Sequence, residues 1–309
     1  MKFPVNFWPS TALKAQACPR SPQRIIGLLG ALALAGGLQA CSVMKIAYNQ
    51  SPELAYLYLD GHLDFTSEQS LRLKDSLNQL QAWHRQTQLP GYIAALQQLQ
   101  QQIPLDTTAV AACTVTADVR RKVSLVAQQA EPLAAGLVSM LTPDQLQHLE
   151  KKYAKDNAEA EDESRSDSSK IRQSQRYLKT LSRAESLYGT LDEPQRAVIA
   201  RRLEQSRFDA KLLFAEKQRR QRDTLRTLQP LTAGQAPPDQ ALAALQGLVA
   251  RSLTPPDTAY RSYLEQLGQE NCQTFAELHN STTPAQRGKA LETLKRYEQD
   301  FKILNAQKS

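Results

Sequence analysis

Leu141-Thr142-Pro143-Asp144-Gln145 carries the chemistry of a helix start. The Thr142 side chain is placed to accept from a backbone N–H of the first turn, and Gln145 to reach back to the N–H of Thr142 itself. That reciprocal pair is the capping box. Pro143 sits at the first helical position, where its missing N–H is not needed. Leu141 and Leu146 are spaced for a hydrophobic staple. The same spacing recurs at Thr66/Gln69, Asp192/Gln195 and Thr283/Gln286, the last again with a proline, Pro284, at the first position. Each cap contributes about 1 kcal/mol. Around these starts the chain is rich in Leu, Ala, Gln, Arg, Lys and Glu, and runs of β-branched residues are few. Both features point to an all-α fold, an elongated multi-helix bundle with long helices.

Between the caps, apolar residues recur at helical spacing. Leu73, Leu77, Leu80 and His84 predict a helix that ends near Leu89-Pro90, because proline disfavours helical geometry in the residue before it. A second helix is expected from Gly91 to Pro104, and residues 104–115 read as a loop holding Cys113. A helix over about 117–140, bent at Pro132, follows. The polar stretch 143–188 reads as two helices with a break near 164–168, or as one continuous rod, closed by Gly189 as a C-terminal cap. Residues 193–228 read as one helix, and 229–238 as a Pro/Gly loop. Further helices are expected at about 239–252, 257–280 and from Thr283 onward. Residues 42–61 suit a helix docked on the core, with an interfacial segment as the alternative.

The N-terminus is organised differently. Arg20 and Arg24 precede an apolar run from Ile25 to Leu34, which ends in Leu38-Gln39-Ala40-Cys41. A positive start, an apolar middle and a small-residue finish form an export signal. The run is shorter than the roughly 20 apolar residues of a membrane span. Its last four residues resemble the lipobox of bacterial lipoproteins, with Gln39 an unusual member; an ordinary cleaved signal ending at Ala40 is the alternative. The lipobox resemblance makes Cys41 the lipidation site and the mature N-terminus. Ser42 after it implies sorting to the outer membrane. The expected organisation is a lipoprotein signal peptide over 1–40, one α-helical periplasmic domain over 41–305 and a tail over 306–309.

Charge and cysteines fit that division. The formal charge is +7, from 38 Lys+Arg and 31 Asp+Glu. Lys2, Lys14, Arg20 and Arg24 leave with the signal, and the balance falls to +3. The basic pI is therefore no nucleic-acid footprint. Beyond Cys18 and Cys41 the chain holds only Cys113 and Cys272. An oxidising compartment favours a disulfide between them over two buried thiols.

Two resemblances add to this reading. Leu141-Thr142-x-x-Gln145 resembles the LTxxQ signature of small periplasmic stress chaperones of the Spy and CpxP type. Phe65 and Leu191 nearly match its first residue, and Thr282 departs from it. That resemblance implies a thin, all-α protein that holds unfolded clients. A broader one covers nearly the whole mature chain: Cys41-Ser42, Tyr48-Asn49, Tyr58-Leu59-Asp60, Trp83-His84-Arg85, Leu89-Pro90-x-Tyr92 and Thr283-Pro284-Ala285-Gln286-Arg287. These resemble a proteobacterial lipoprotein family known only as a domain of unknown function. It implies export, anchoring and an all-α fold, and supplies no activity.

Chemistry-bearing motifs are sparse. The sequence has no Gly-rich phosphate loop, no HExxH and no Gly-x-Ser-x-Gly. His62, His84, His148 and His279 are far apart, and His84 beside Trp83 reads as a packing histidine before a ligand or base. Glu159-Ala160-Glu161-Asp162-Glu163 reads as a solvated face before a cation site. The basic 193–228 stretch reads as an exposed face with local ion pairs. The expectation is therefore a protein that is no enzyme and needs no cofactor or metal. It is lipid-anchored in the outer membrane, faces the periplasm and is chaperone-like toward protein clients. The alternative is a structural adaptor for one envelope partner. Nucleic acid is excluded as a partner.

Overall fold

The computed structural model describes residues 43–166, 169–233 and 236–307. The export signal expected over 1–40, the expected lipidation residue Cys41 and the end of the tail lie outside them. The described residues form helices and no strand. In chain order these are α1 (Val43–Asn49), α2 (Ser51–Leu63), α3 (Ser67–Trp83), a π-helical turn (His84–Gln88), α4 (Leu89–Gln102), α5 (Ala109–Val138) and α6 (Pro143–Ser166). Then come α7 (Ser169–Tyr188), α8 (Glu193–Glu204), α9 (Ala210–Ala233), α10 (Pro238–Leu253), α11 (Thr258–Asn280) and α12 (Pro284–Ala306).

Burial concentrates at two poles. The first gathers Ala135, Val138, Leu141, Leu146 and Leu149 with Leu228, Leu231, Ala241, Leu245 and Leu248. The second gathers Ile103, Tyr188, Leu191, Ile199, Leu278, Ala290 and Leu294. Long helices run between them. The segment from Thr66 to Ile103 leaves the first pole and reaches the second. There Asn280 clasps the backbone of Thr107 through both its amide atoms, 2.8 and 2.9 Å. The 30-residue α5 returns to the first pole. At 1.5 Å per residue it spans roughly 45 Å, which sets the separation of the poles.

Several local expectations need correction. Pro90 does not stop the helix before it. Its missing N–H and its ring would disrupt a regular α-turn. The backbone instead widens to a π-turn over His84–Gln88, in which the Leu89 N–H donates to the His84 carbonyl. The chain then continues as α4 with Pro90 in its first turn, where no N–H is required. Cys113 lies in a helix and not in a loop, because Thr108 caps α5 by accepting from the Ala111 N–H at 3.1 Å. The helix runs through Pro132. Likewise α9 runs through Pro230 to Ala233, where a loop was expected. α6 is described to Ser166 and α7 from Ser169; the break expected near 164–168 falls on residues 167–168, outside the described residues.

The basic stretch 193–228 is two helices. After Glu204 the chain turns, and tertiary partners take over its backbone donors. Glu270 accepts from the Arg207 N–H at 3.1 Å, and the Tyr263 hydroxyl accepts from the Asp209 N–H at 2.8 Å. Arg176 stacks 3.9 Å over the Phe208 ring. Three cations of this stretch pair with other helices, Arg201 and Arg202 with Glu277 and Arg196 with Glu185, and its Asp223 pairs with Arg251 of α10. These ties fasten α8 and α9 to their neighbours, and the expected local pairs are present beside them: Arg219 and Arg220 bond Glu216, and Arg219 also pairs with Asp223.

Candidate functional site

The four cap motifs meet in two pairs. At the first pole, the ends of α2 and α5 and the starts of α3 and α6 converge. Gln69 and Gln145 lie side by side there, only 2% and 6% exposed. Each Oε1 accepts from its own cap N–H: Thr66 to Gln69 at 2.9 Å, Thr142 to Gln145 at 3.0 Å. Each Nε2 donates to the other's Oε1, at 3.1 and 2.7 Å. Each Nε2 also donates to the carbonyl two residues before the partner's cap: Gln69 to Met140 at 2.7 Å, Gln145 to Asp64 at 3.0 Å. An amide offers two donors and two acceptor sites, and all are used. The cap N–H donors also fix which end of each amide is oxygen.

The second pole repeats the arrangement. Gln195 and Gln286 exchange bonds of 2.7 and 2.8 Å. They accept from the N–H groups of Asp192 and Thr283 at 3.1 and 2.9 Å. They donate to Ser281 and Thr190, each again two residues before the partner's cap, at 3.0 and 2.9 Å. The helices around each joint pair in the same pattern. At the first, α2 packs on α3, α3 on α5 and α2 on α6; at the second, α7 packs on α8, α8 on α11 and α7 on α12. Left-handed backbone at Asp64 (φ 49°) turns the chain into the first joint, and Gly189 (φ 78°) turns it into the second. Among the described residues each pole also bears an open hollow. One, of about 470 Å³, is lined by Pro104, Thr282, Pro284, Arg287, Gly288 and Leu291. The other, of about 350 Å³, is lined by Asp64, Asp144, Gln145, Gln147, His148 and Lys151.

Cys113 and Cys272 are joined, with Cα atoms 5.4 Å apart, and this bond ties α5 to α11 near the second pole. Two turns on, buried His279 locks that pole. Its Nε2 faces the Leu105 carbonyl at 2.8 Å, so Nε2 carries the proton. Nδ1 then accepts from the Tyr188 hydroxyl at 2.7 Å. Burial pushes the His279 pKa below the ordinary histidine value and that of Tyr188 upward. The unfolded chain thus takes up a proton near pH 6.5 that the folded protein resists. Stability from this site is whole above that pH and is lost as pH falls below it. Thermal melts should be flat from pH 8 to 7 and decline from pH 6.5 to 5. His279→Gln should lower Tm at pH 7.5 and flatten that decline; an unchanged slope would refute the assignment.

A third cluster surrounds the π-turn, and it collects residues far apart in sequence. His84 lies between two phenols, Tyr48 at 3.0 Å from Nδ1 and Tyr92 at 3.1 Å from Nε2. Burial lowers the His84 pKa, so the ring is neutral, and one tyrosine donates while the other accepts. Burial also pushes Tyr48 up to about 12, against the opposing pull of Arg85. Next to it Arg85, 7% exposed, donates to Asn49 Oδ1 at 3.2 Å. The pairs Tyr48-Asn49 and His84-Arg85 are visible as sequence motifs. Their meeting is not, because α1 and the π-turn are more than thirty residues apart.

Among the described residues no group of three or more His, Cys, Asp or Glu is placed to hold a metal ion. No helix there is long and apolar enough to cross a membrane. The acidic run 159–163 lies along α6. The profile of a family described as "Family of unknown function (DUF6279)" matches residues 61–247. No curated protein and no solved structure matches the chain.

Proposed function

We propose that this chain, which belongs to the DUF6279 family of unknown function, is a non-enzymatic helical lipoprotein of the cell envelope that holds unfolded protein clients. Cys41 anchors it to the outer membrane, with the helices in the periplasm. The observation that carries the reading is the set of large apolar side chains left on the outside of the long helices. Leu71 on α3, Val110, Val119 and Val123 on α5, and Leu178 on α7 are 48–76% exposed. Val119 and Val123 lie one turn apart and flank Arg120, Arg121 and Lys122. Arg121 and Lys122 are held by Asp118 beside them, so the exposed apolar side chains are what suits extended apolar segments of a client.

The LTxxQ resemblance supports the reading at the level of architecture. Its threonines and glutamines are spent inside the joints, so client contacts belong on the helix faces. Val119→Ser with Val123→Ser should leave Tm within about 1 °C, since exposed substitutions are near neutral. The pair should weaken suppression of aggregation of a reduced, unfolded client several-fold. If the parent chain gives no suppression at large molar excess, the chaperone reading is wrong. The fixed geometry of the two locked poles favours the adaptor as a second reading. Photocrosslinking in cells from positions 119, 123, 222 and 226 separates them: many clients for the first, one dominant product for the second.

A further inference from the structure

Among the described residues Arg85 is a buried cation without a counter-charge. It is 7% exposed, its polar partners are neutral, the Asn49 amide at 3.2 Å and the Tyr48 phenol, and it lies 5.7 Å from the centre of the Tyr48 ring. Among the described residues no carboxylate forms an ion pair with it. Its Nε–H is enclosed and has no acceptor. Arginine does not escape burial by losing its proton, and an unpaired buried charge is expensive. A fold that holds one either takes the anion from elsewhere or is destabilised for nothing.

The surroundings indicate where the anion comes from. Arg85 lies in the π-turn, a distortion often found at functional sites, and its cover is α1. That helix has no buried residue of its own. It is pinned by side-chain ties: Tyr48 to His84, the Tyr48 carbonyl to Gln81 at 2.6 Å, and Lys45 to Asp300 at 3.3 Å. It begins two residues after Cys41, and its Val43 and Ile46 are 59% and 58% exposed.

We propose that Arg85 is the centre of a binding site for a single phosphate-bearing anion. The Nε–H edge of the guanidinium would donate to the phosphate oxygens, and α1 would close over it. The two sources of that chemistry are an anionic phospholipid headgroup at the anchored end and a soluble phosphate. The proposal does not depend on client binding.

The test uses the full chain in neutral detergent and follows the Arg85 Nε–H resonance together with Tm. The probes are inorganic phosphate, short-chain phosphatidylglycerol and short-chain phosphatidylcholine, with sodium chloride matching ionic strength. We expect the resonance to shift and Tm to rise with phosphatidylglycerol. Arg85→Gln should weaken that response about tenfold or more, as the loss of a charge-assisted bond predicts; Arg85→Lys should retain part of it. A response to inorganic phosphate as well would identify phosphate itself as the ligand. A response confined to phosphatidylglycerol would identify the headgroup. If Arg85→Gln does not fold, the resonance in the parent chain still decides. No shift with any phosphate probe beyond the chloride control, or an equal rise in Tm in Arg85→Gln, overturns the proposal.

Discussion

Gln145→Ala is expected to lower stability by about 3–5 kcal/mol, far more than the ~1 kcal/mol of an ordinary cap. The reason lies in what is left behind. The substitution strands the Thr142 N–H and the Asp64 carbonyl, and it removes one donor bond and one acceptor bond from the Gln69 amide. Each buried polar group without a partner costs about 1–3 kcal/mol. Gln69→Ala should be of similar size. The double variant should be less destabilised than the sum by about 2 kcal/mol, because the second deletion removes the group the first left unpaired. Gln145→Glu is the sharper probe. It keeps the shape but replaces the amide donor with an oxygen facing the Asp64 carbonyl and Gln69 Oε1, so it should be at least as damaging as alanine at pH 7. Chemical denaturation of the four variants measures all of this. Additive effects within 0.5 kcal/mol, the usual result for independent sites, would show that the two amides do not act as a pair. At the second pole Gln286 is partly exposed and Gln195 is 1% exposed. Gln195→Ala should therefore be the more damaging of those two.

This pairing also marks where reading the sequence stops. A capping box is local, spanning four residues, so every helix start that used one was legible, as was the all-α composition. The box tolerates Glu or Gln at its last position, yet all four copies here carry Gln. That choice was the available signal. A pair of glutamates would repel, whereas a pair of amides can exchange donors and acceptors. Nothing in the sequence states which copy meets which, since the partners are 76 and 91 residues apart. Residues 205–209 interrupt an uninterrupted helical pattern because Glu270 and Tyr263, on another helix, supply partners for the freed N–H groups. Pro90 reads as a stop, yet a π-turn absorbs it. Arg85 is visible in the sequence only as part of the Trp83-His84-Arg85 motif, and its burial under Tyr48 and Asn49 is not. At residues 205–209 a tertiary partner overrides the local preference; at Pro90 the backbone itself adjusts.

Opening the Cys113–Cys272 bond should have the largest effect on the molecule as a whole. The two cysteines are 159 residues apart, and closing a loop of that length restricts the unfolded chain by about 5 kcal/mol in the chain-entropy picture. For a helical unit of this size that corresponds to a fall in Tm of roughly 10–20 °C. The bond fastens α5 to α11 just before α11 reaches His279 and the second joint. Loosening it should therefore expose the second pole first. Hydrogen exchange of the reduced protein at moderate temperature should show lost protection near Leu278 and Leu191, with Leu141 and Leu149 still protected. Cys113→Ser with Cys272→Ser should behave like the reduced parent, which separates loss of the tether from any effect of the reductant. A change in Tm below about 2 °C for both would mean that the unfolded chain is restrained by something other than this loop. Uniform loss of protection would mean that the poles are one cooperative unit, with each joint unable to persist without the other.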